Sequence, residues 1–310
     1  MKKLLIVLMA LALVLCGTAF AESEPVKLAW IVQDMANESQ SYACRIAEEM
    51  AGDYGFEFTY YDQAGDIQKC VDAVTTCIAE QVDVIIINPV DPQAVVPTLM
   101  EAKDAGIVIG LFSSDLATEN QMYRDFFCGT NDTMAGEQAA AAIIEAFPDG
   151  CNVVEIGGQS GHDAQVKRSD GFAKGLEGSN ITVLASQNCD AWATEDCMAI
   201  MEDFIVKYGE DIDAVFCHWD NGATGVINAL SNAGIEGVYV VAVDGCSAGY
   251  DQVKAGTQAV CIGQSFRNMV QQSFECARAA IDGEAFEEIN WIPLDTVTID
   301  NVDSLPYPEW

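Results

Sequence analysis

The chain has 310 residues, half of them hydrophobic, and sets 14 Lys and Arg against 48 Asp and Glu for a formal net charge of −34. That length supplies two domains with cores of ordinary size. So acidic a surface repels nucleic acid and anionic lipid, although a local cleft remains free to take a ligand of its own choosing.

The N-terminus reads as an address. Lys2 and Lys3 precede an apolar run from Leu4 to Leu15, and Ala19-Phe20-Ala21 then offers the small residues of a cleavage site, so residues 1–21 are expected to be a secretory signal peptide. Cys16 leaves lipid anchoring open, though Leu15 before it is bulkier than a lipoprotein signal prefers. The run is short for a permanent span, and no later stretch approaches the ~20 apolar residues that spanning requires. The expected address is the periplasm or the cell-envelope exterior. Residues 1–21 hold two of the 14 basic residues and none of the 48 acidic ones, so the mature chain would carry −36. Eleven cysteines would remain, an odd number with no Cys-x-x-Cys, which suggests unpaired thiols and a reducing habitat.

From Lys27 onward short apolar strands alternate with amphipathic helices. Strands are expected at Leu28–Gln33, Glu57–Tyr61, Val84–Ile87, Ile107–Phe112, Asn152–Ile156, Thr182–Ser186, Ala214–Cys217, Val238–Val243 and Ala259–Ile262. Helices between them include Tyr42–Ala51, Ile67–Glu80, Thr133–Ala146, Gln165–Leu176 and Cys197–Tyr208. Continuous runs such as Val84-Ile85-Ile86-Ile87 suit strands buried on both faces of a parallel sheet, which makes the fold class α/β, doubly wound. Val82-Asp83-Val84-Ile85-Ile86, ending at Asn88, is echoed by Ile212-Asp213-Ala214-Val215-Phe216, ending at His218. The echo implies two similar lobes. Ligands of open parallel sheets bind beyond the carboxyl ends of the strands, so two facing lobes would share one cleft.

Enzyme signatures are missing from the sequence. The chain has two histidines, His162 and His218, no His-Glu-x-x-His, no phosphate-binding Gly-x-x-x-x-Gly-Lys-Ser/Thr and no Gly-x-Gly-x-x-Gly after a strand. Gly158-Gln159-Ser160-Gly161-His162 lacks the final glycine of a nucleophile elbow and reads as a strand-to-helix turn. Neither His nor Cys is spaced as a ligand set, so no metal and no cofactor is expected.

Several stretches together resemble the ribose-binding and related sugar-binding proteins of ABC importers, the type I periplasmic-binding class. They are Ile86-Ile87-Asn88-Pro89-Val90-Asp91, Arg168-Ser169-Asp170-Gly171-Phe172, Asp213-Ala214-Val215-Phe216 with Asp220, Val243-Asp244-Gly245, and Gly263-Gln264. The resemblance implies two lobes joined by a three-segment hinge, closing around a small sugar-like ligand that is handed to a membrane permease. It implies a first lobe of residues 26–129 plus 265–290 and a second of 130–264 plus 291–310, working as a monomer without nucleic acid. A ligand-presenting sensor of the same fold, or a binder of a non-sugar such as a nucleoside, are the competing readings.

The candidate ligand-binding residues follow from strand ends and from that resemblance. Arg168 is suited to bidentate contacts, and Asp244 is a carboxylate ending an apolar strand where packing gives it no reason to be. Gln264 reads equally as a contact or a hinge support, and Asn37 as a contact or a turn residue. Trp192 and Trp219 offer aromatic planes, and His218 stands at a strand end. Ser113 and Ser114 take the place of a charged pair common in the resembling proteins, while Ser39 and Gln40 replace the aromatics of their first loop. The ligand is therefore expected to differ from ribose.

Overall fold

The computed structural model describes residues 25–310. The signal-peptide and Cys16 expectations lie outside these residues.

The first sheet gathers β1 (Val26–Val32), β2 (Phe56–Asp62), β3 (Val84–Ile87), β4 (Val108–Phe112), β5 (Phe126–Gly129) and β11 (Ile289–Trp291). Their order is β11-β5-β4-β3-β1-β2, with every pairing parallel. Helices α1 (Glu38–Ala51) and α9 (Phe266–Asp282) cover one face, while α2 (Ile67–Glu80) and α3 (Val96–Asp104) cover the other. Burial on both faces is what the unbroken Val-Ile-Ile-Ile of β3 requires, and all four of its residues are buried. Short polar side chains set where the helices begin. Asn37 caps α1 and Asp66 caps α2, each accepting from backbone N–H groups two and three residues on.

The second sheet repeats the plan with β6 (Asn152–Gln159), β7 (Thr182–Cys189), β8 (Ala214–Cys217), β9 (Tyr239–Asp244), β10 (Val260–Gln264) and β12 (Leu294–Thr298). Its order is β12-β10-β9-β8-β6-β7, and only the edge strand β12 runs antiparallel to its neighbour. Helices α4 (Asp132–Ala146) and α5 (Asp163–Gly175) pack on one face, and α6 (Thr194–Tyr208) and α7 (Asp220–Ala233) on the other; α8 (Ser247–Ala255) packs near the β12 edge. The sequence echo now has a physical meaning. β3 and β8 hold the same place in their sheets, and Asp83 and Asp213 do the same work, each accepting from the first-strand backbone at Lys27 N and Asn152 N (2.8 and 2.7 Å).

The chain crosses between sheets three times, after Gly129, after Gln264 and after Trp291. The last crossing differs from the expected one. Trp291 pairs with Gly129 in the first sheet, so it does not open the second-lobe segment. The C-terminal tail does not stay with the second lobe either, because Glu309 and Trp310 pack on Tyr42, Phe266 and Arg267 of the first. Strands β5, β11 and β12 were not anticipated, being short or only partly apolar. Among the described residues no helix is long and apolar enough to cross a membrane.

Helices α4 and α5 touch backbone to backbone. A Cβ at Gly171 would sit 2.0 Å from the Thr133 carbonyl oxygen, and one at Gly136 would sit 2.1 Å from that of Arg168. Backbone cannot swing aside as a side chain can, so Gly171→Ala must push the helices apart. The expected cost is about 1–3 kcal/mol, read as a lower midpoint in urea denaturation. An unchanged midpoint would mean the two helices separate freely.

Candidate functional site

Both sheets present the carboxyl ends of their strands to a single cleft of about 870 Å³, within the size range of small-molecule sites. Each sheet reverses its winding at its first strand, β1/β3 in one lobe and β6/β8 in the other, which is where open α/β sheets form crevices. The first-lobe wall is polar. Gln33 and Asp34 follow β1, Asn37 and Gln40 open α1, Asn88 follows β3 and Ser113 follows β4. Gln40 and Asn88 hold each other through a 3.0 Å amide hydrogen bond. Asn37 is both a cap and a lining residue: its Oδ1 accepts from Ser39 and Gln40, which leaves only its Nδ2 for the cleft.

The second-lobe wall carries the buried charges. Arg168 on α5 is 4 % exposed, donates from Nε to Asp132 Oδ1 at 2.8 Å, and donates from Nη1 to the His218 carbonyl. Its Nη2 has no acceptor among the described residues. Asp244 ends β9 at φ 135°, and Ser113 across the cleft has φ 65°. Two of the four non-glycine residues with positive φ among the described residues thus line the cleft, a concentration of backbone strain typical of functional sites. Asp244 Oδ1 accepts from Gln264 Nε2 at 2.6 Å, and Oδ2 has no donor among the described residues. Burial pushes the Asp244 carboxyl up to about 7, with nearby Arg168 pulling it down and Asp220 pushing it further up. An open donor and an open acceptor thus share one cavity.

Gln264 has spent both ends of its amide. Its Oε1 accepts from Thr130 Oγ1 at 2.9 Å while its Nε2 holds Asp244, so it ties one crossover segment to the carboxylate. Trp192 stands over Gly158, where a Cβ would come within 2.1 Å of the indole. Its ring meets Trp219 at 5.1 Å and His162 at 5.4 Å, both edge-on, and the Arg168 guanidinium lies 5.9 Å from its centroid. Trp219 lines the cleft but is only 5 % exposed, so it mainly backs Trp192.

Two expected contacts stand elsewhere. His218 is fully buried, and its Nε2 lies 3.0 Å from Glu155 Oε1 beneath the cleft. Burial pushes the imidazole below its ordinary value, so it is neutral and donates to the carboxylate. Ser114 is 1 % exposed and does not line the cavity; its backbone N–H turns back to Phe112 O at 2.7 Å. Asp115, next along, is taken by a bidentate pair with Arg124 at 2.6 and 2.8 Å.

Other groups went unremarked in the sequence. Glu155 accepts from Ser169, Ser186 and His218; burial raises its carboxyl, but these partners outweigh that and hold it below the ordinary range. The signal was available, since a lone carboxylate inside Val153-Val154-Glu155-Ile156 is as anomalous as Asp244. Asp132 and Trp310 left no such trace, because their roles depend on partners far along the chain. Asp220, unlike these, is among the residues that carry the resemblance; it is buried, burial pushes its carboxyl up, and it accepts from Gly245 N, Cys246 N, Gln258 and Cys261 and so braces the loop after Asp244.

Nothing in this arrangement resembles a nucleophile with its base. Ser160 belongs to the turn into α5, and His162 Nδ1 caps that helix by accepting from Ala164 N. The described cysteines form no disulfide, all but Cys151 are buried, and burial pushes the Cys70 thiol up to about 11. No cluster of His, Cys, Asp and Glu among the described residues is placed to hold a metal.

Two facing doubly wound lobes, a three-strand crossover and a charged cleft between strand ends define a type I periplasmic solute-binding architecture. Residues 28–285 match the family described as periplasmic binding protein domain, and the chain belongs to that family. It is 27 % identical over 307 residues to a xylitol-binding protein of Mycolicibacterium smegmatis, covering 94 % of this chain and 83 % of that one. It is 26 % identical to the ribose import binding protein of Salmonella typhimurium, covering 92 % and 94 %. Among solved structures, an ABC transporter solute binding protein from Bacillus halodurans with bound myo-inositol superposes with a TM-score of 0.85 at 26 % identity, covering 92 % of this chain and 98 % of that one.

Proposed function

We propose that this protein captures a small polyhydroxylated ligand, a sugar, cyclitol or polyol, in the inter-lobe cleft and delivers it to an ABC importer, without transforming it. The observation that carries this reading is that Arg168 and Asp244 line one cavity, each fixed by protein partners on one side and with one atom, Nη2 or Oδ2, left unpartnered among the described residues. A hydroxyl donates and accepts, so vicinal hydroxyls satisfy both groups at once. Trp192 supplies a plane for the C–H face, and the named ligands of the relatives, ribose, xylitol and myo-inositol, share this chemistry. The reading places the mature chain outside the cytoplasmic membrane as a monomer, with a membrane permease as its protein partner and no nucleic acid. Arg168, Asp244, Trp192 and Asn37 Nδ2 would touch ligand; Gln264 and Trp219 would position them.

Protonation provides the test. A hydroxyl that donates to Asp244 favours the ionised carboxylate, so binding lowers a value that burial has raised to about 7. Ligand uptake should release a proton near pH 6.5, and affinity should rise as pH climbs through 7. Calorimetric titration of a binding sugar or polyol in buffers of different ionisation enthalpy measures this directly. Proton uptake, or enthalpy independent of buffer, would contradict the assigned role of Asp244.

A further inference from the structure

The C-terminal tail is anchored on one lobe and ends on the other. Val302 and Leu305 pack with Tyr250, Val253 and Val297 of the second lobe, and Tyr307 donates to Asp251 at 3.1 Å. Five residues after Leu305 the chain has reached the first lobe. Glu309 Oε2 accepts from Tyr42 at 3.0 Å and from Arg267 at 2.5 Å, while the Trp310 carbonyl still accepts from Ser247 N of the second lobe at 2.6 Å. The Trp310 indole stacks on Tyr42 at 5.8 Å and 20° and stands edge-on to Phe266 at 5.2 Å. It lines the cleft.

From this we infer that Trp310 is a ligand-contacting, specificity-determining residue, held on a strap that bridges the lobes and supplies the aromatic plane that the first-lobe wall lacks. The inference rests on the proposed function. The first-lobe loops that line the cleft offer no aromatic side chain, only small or polar ones such as Gln33, Asn37, Gln40 and Ser113, and Phe266 is 2 % exposed and committed to the core. A ring ligand has two C–H faces, and an aromatic plane on each lobe covers both where Trp192 alone covers one. Trp310 is half-buried, and its Nε1–H has no acceptor among the described residues, so the indole also offers a donor. Tyr42 stacked on its face, Phe266 edge-on to it and the Arg267–Glu309 ion pair one residue before it fix its orientation before ligand arrives, which lowers the ordering cost of binding. A flat aromatic wall of this kind favours a closed ring over an open chain of the same hydroxyl count.

The test is calorimetric titration of myo-inositol, D-ribose and the acyclic xylitol into the mature protein and into Trp310→Ala and Trp310→Phe, with ligand-free melting as the folding control. The expected result is that a ring probe bound by the parent loses about tenfold or more in affinity in Trp310→Ala, that xylitol loses less, and that Trp310→Phe restores ring binding to within about threefold. Unchanged affinity in Trp310→Ala would overturn the inference while leaving the proposed function standing. An equal loss for ring and acyclic probes would overturn the specificity role, since it would mark the residue as a support for the strap alone. A parent protein that binds none of the three, nor any other sugar or polyol, would remove the proposed function and this inference with it.

Discussion

Asp244→Asn is expected to give a protein that is more stable than the parent at pH 8 and binds its ligand roughly 10- to 100-fold more weakly. The binding loss follows from turning a charged hydroxyl acceptor into a neutral amide, since hydrogen bonds to charged groups contribute about 1.5–3 kcal/mol. The stability gain follows from burial. Asp244 is raised to about 7 in the folded chain from an ordinary 3.8, so between those values the folded state holds a proton that the unfolded state has lost. Folding stability therefore falls as pH rises from about 4 through 7, by an amount on the order of a few kcal/mol. Asparagine removes that dependence, and it can keep the Oδ1 contact with Gln264. Urea denaturation of both proteins at pH 5 and pH 8, alongside calorimetric titration, measures the two effects separately. Equal pH slopes would show that Asp244 titrates normally, and undiminished binding would remove it from the site.

Arg168→Ala is expected to lose both ligand binding and a large part of the second lobe's stability. The guanidinium and Asp132 are 4 % and 5 % exposed at their side chains, and removing one member of a buried pair strands the other. Such losses run to about 3–5 kcal/mol, which for a protein of this size is a fall in Tm of roughly 6–20 °C. The His218 carbonyl loses its donor as well. The double replacement Arg168→Met with Asp132→Leu removes both charges together and should recover much of the stability while binding stays lost. A loss below about 1 kcal/mol in Arg168→Ala would mean that the N-terminus of α4 alone supports the Asp132 charge. This separation matters for any mutational map of the cleft, because weaker binding in Arg168→Ala alone mixes contact with folding.

Local chemistry made much of the fold legible. Helix α2 runs from Ile67 to Glu80 as its pattern requires, with Asp66 capping it and Gln81 leaving it in a left-handed conformation. The wholly apolar β3 announced a two-faced sheet, and the Asp83 and Asp213 echo announced two lobes. Strand β5 escaped notice because Phe126-Phe127-Cys128-Gly129 is only four residues long and follows a polar turn, and β11 because Ile289-Asn290-Trp291 is half exposed. In the cleft, strand ends pointed to the right places without saying how each side chain turns. Asn88 and His218 occupy matching positions, yet Asn88 faces the cavity and His218 turns inward to Glu155. That choice is set by a carboxylate 63 residues earlier. Trp310 was out of reach for the same reason, since Tyr42 lies at the other end of the chain and nothing local connects them.

The most direct measurement is a thermal-shift screen of the purified protein against pentoses, hexoses, cyclitols and acyclic polyols, with nucleosides and amino acids as contrasting classes. A ligand present at 100 times its Kd stabilises the folded state by about 2.7 kcal/mol, which is readily seen as a rise in Tm. The expected result is a rise with a sugar, cyclitol or polyol that disappears in Asp244→Asn. A rise confined to nucleosides or amino acids would contradict the assigned ligand class.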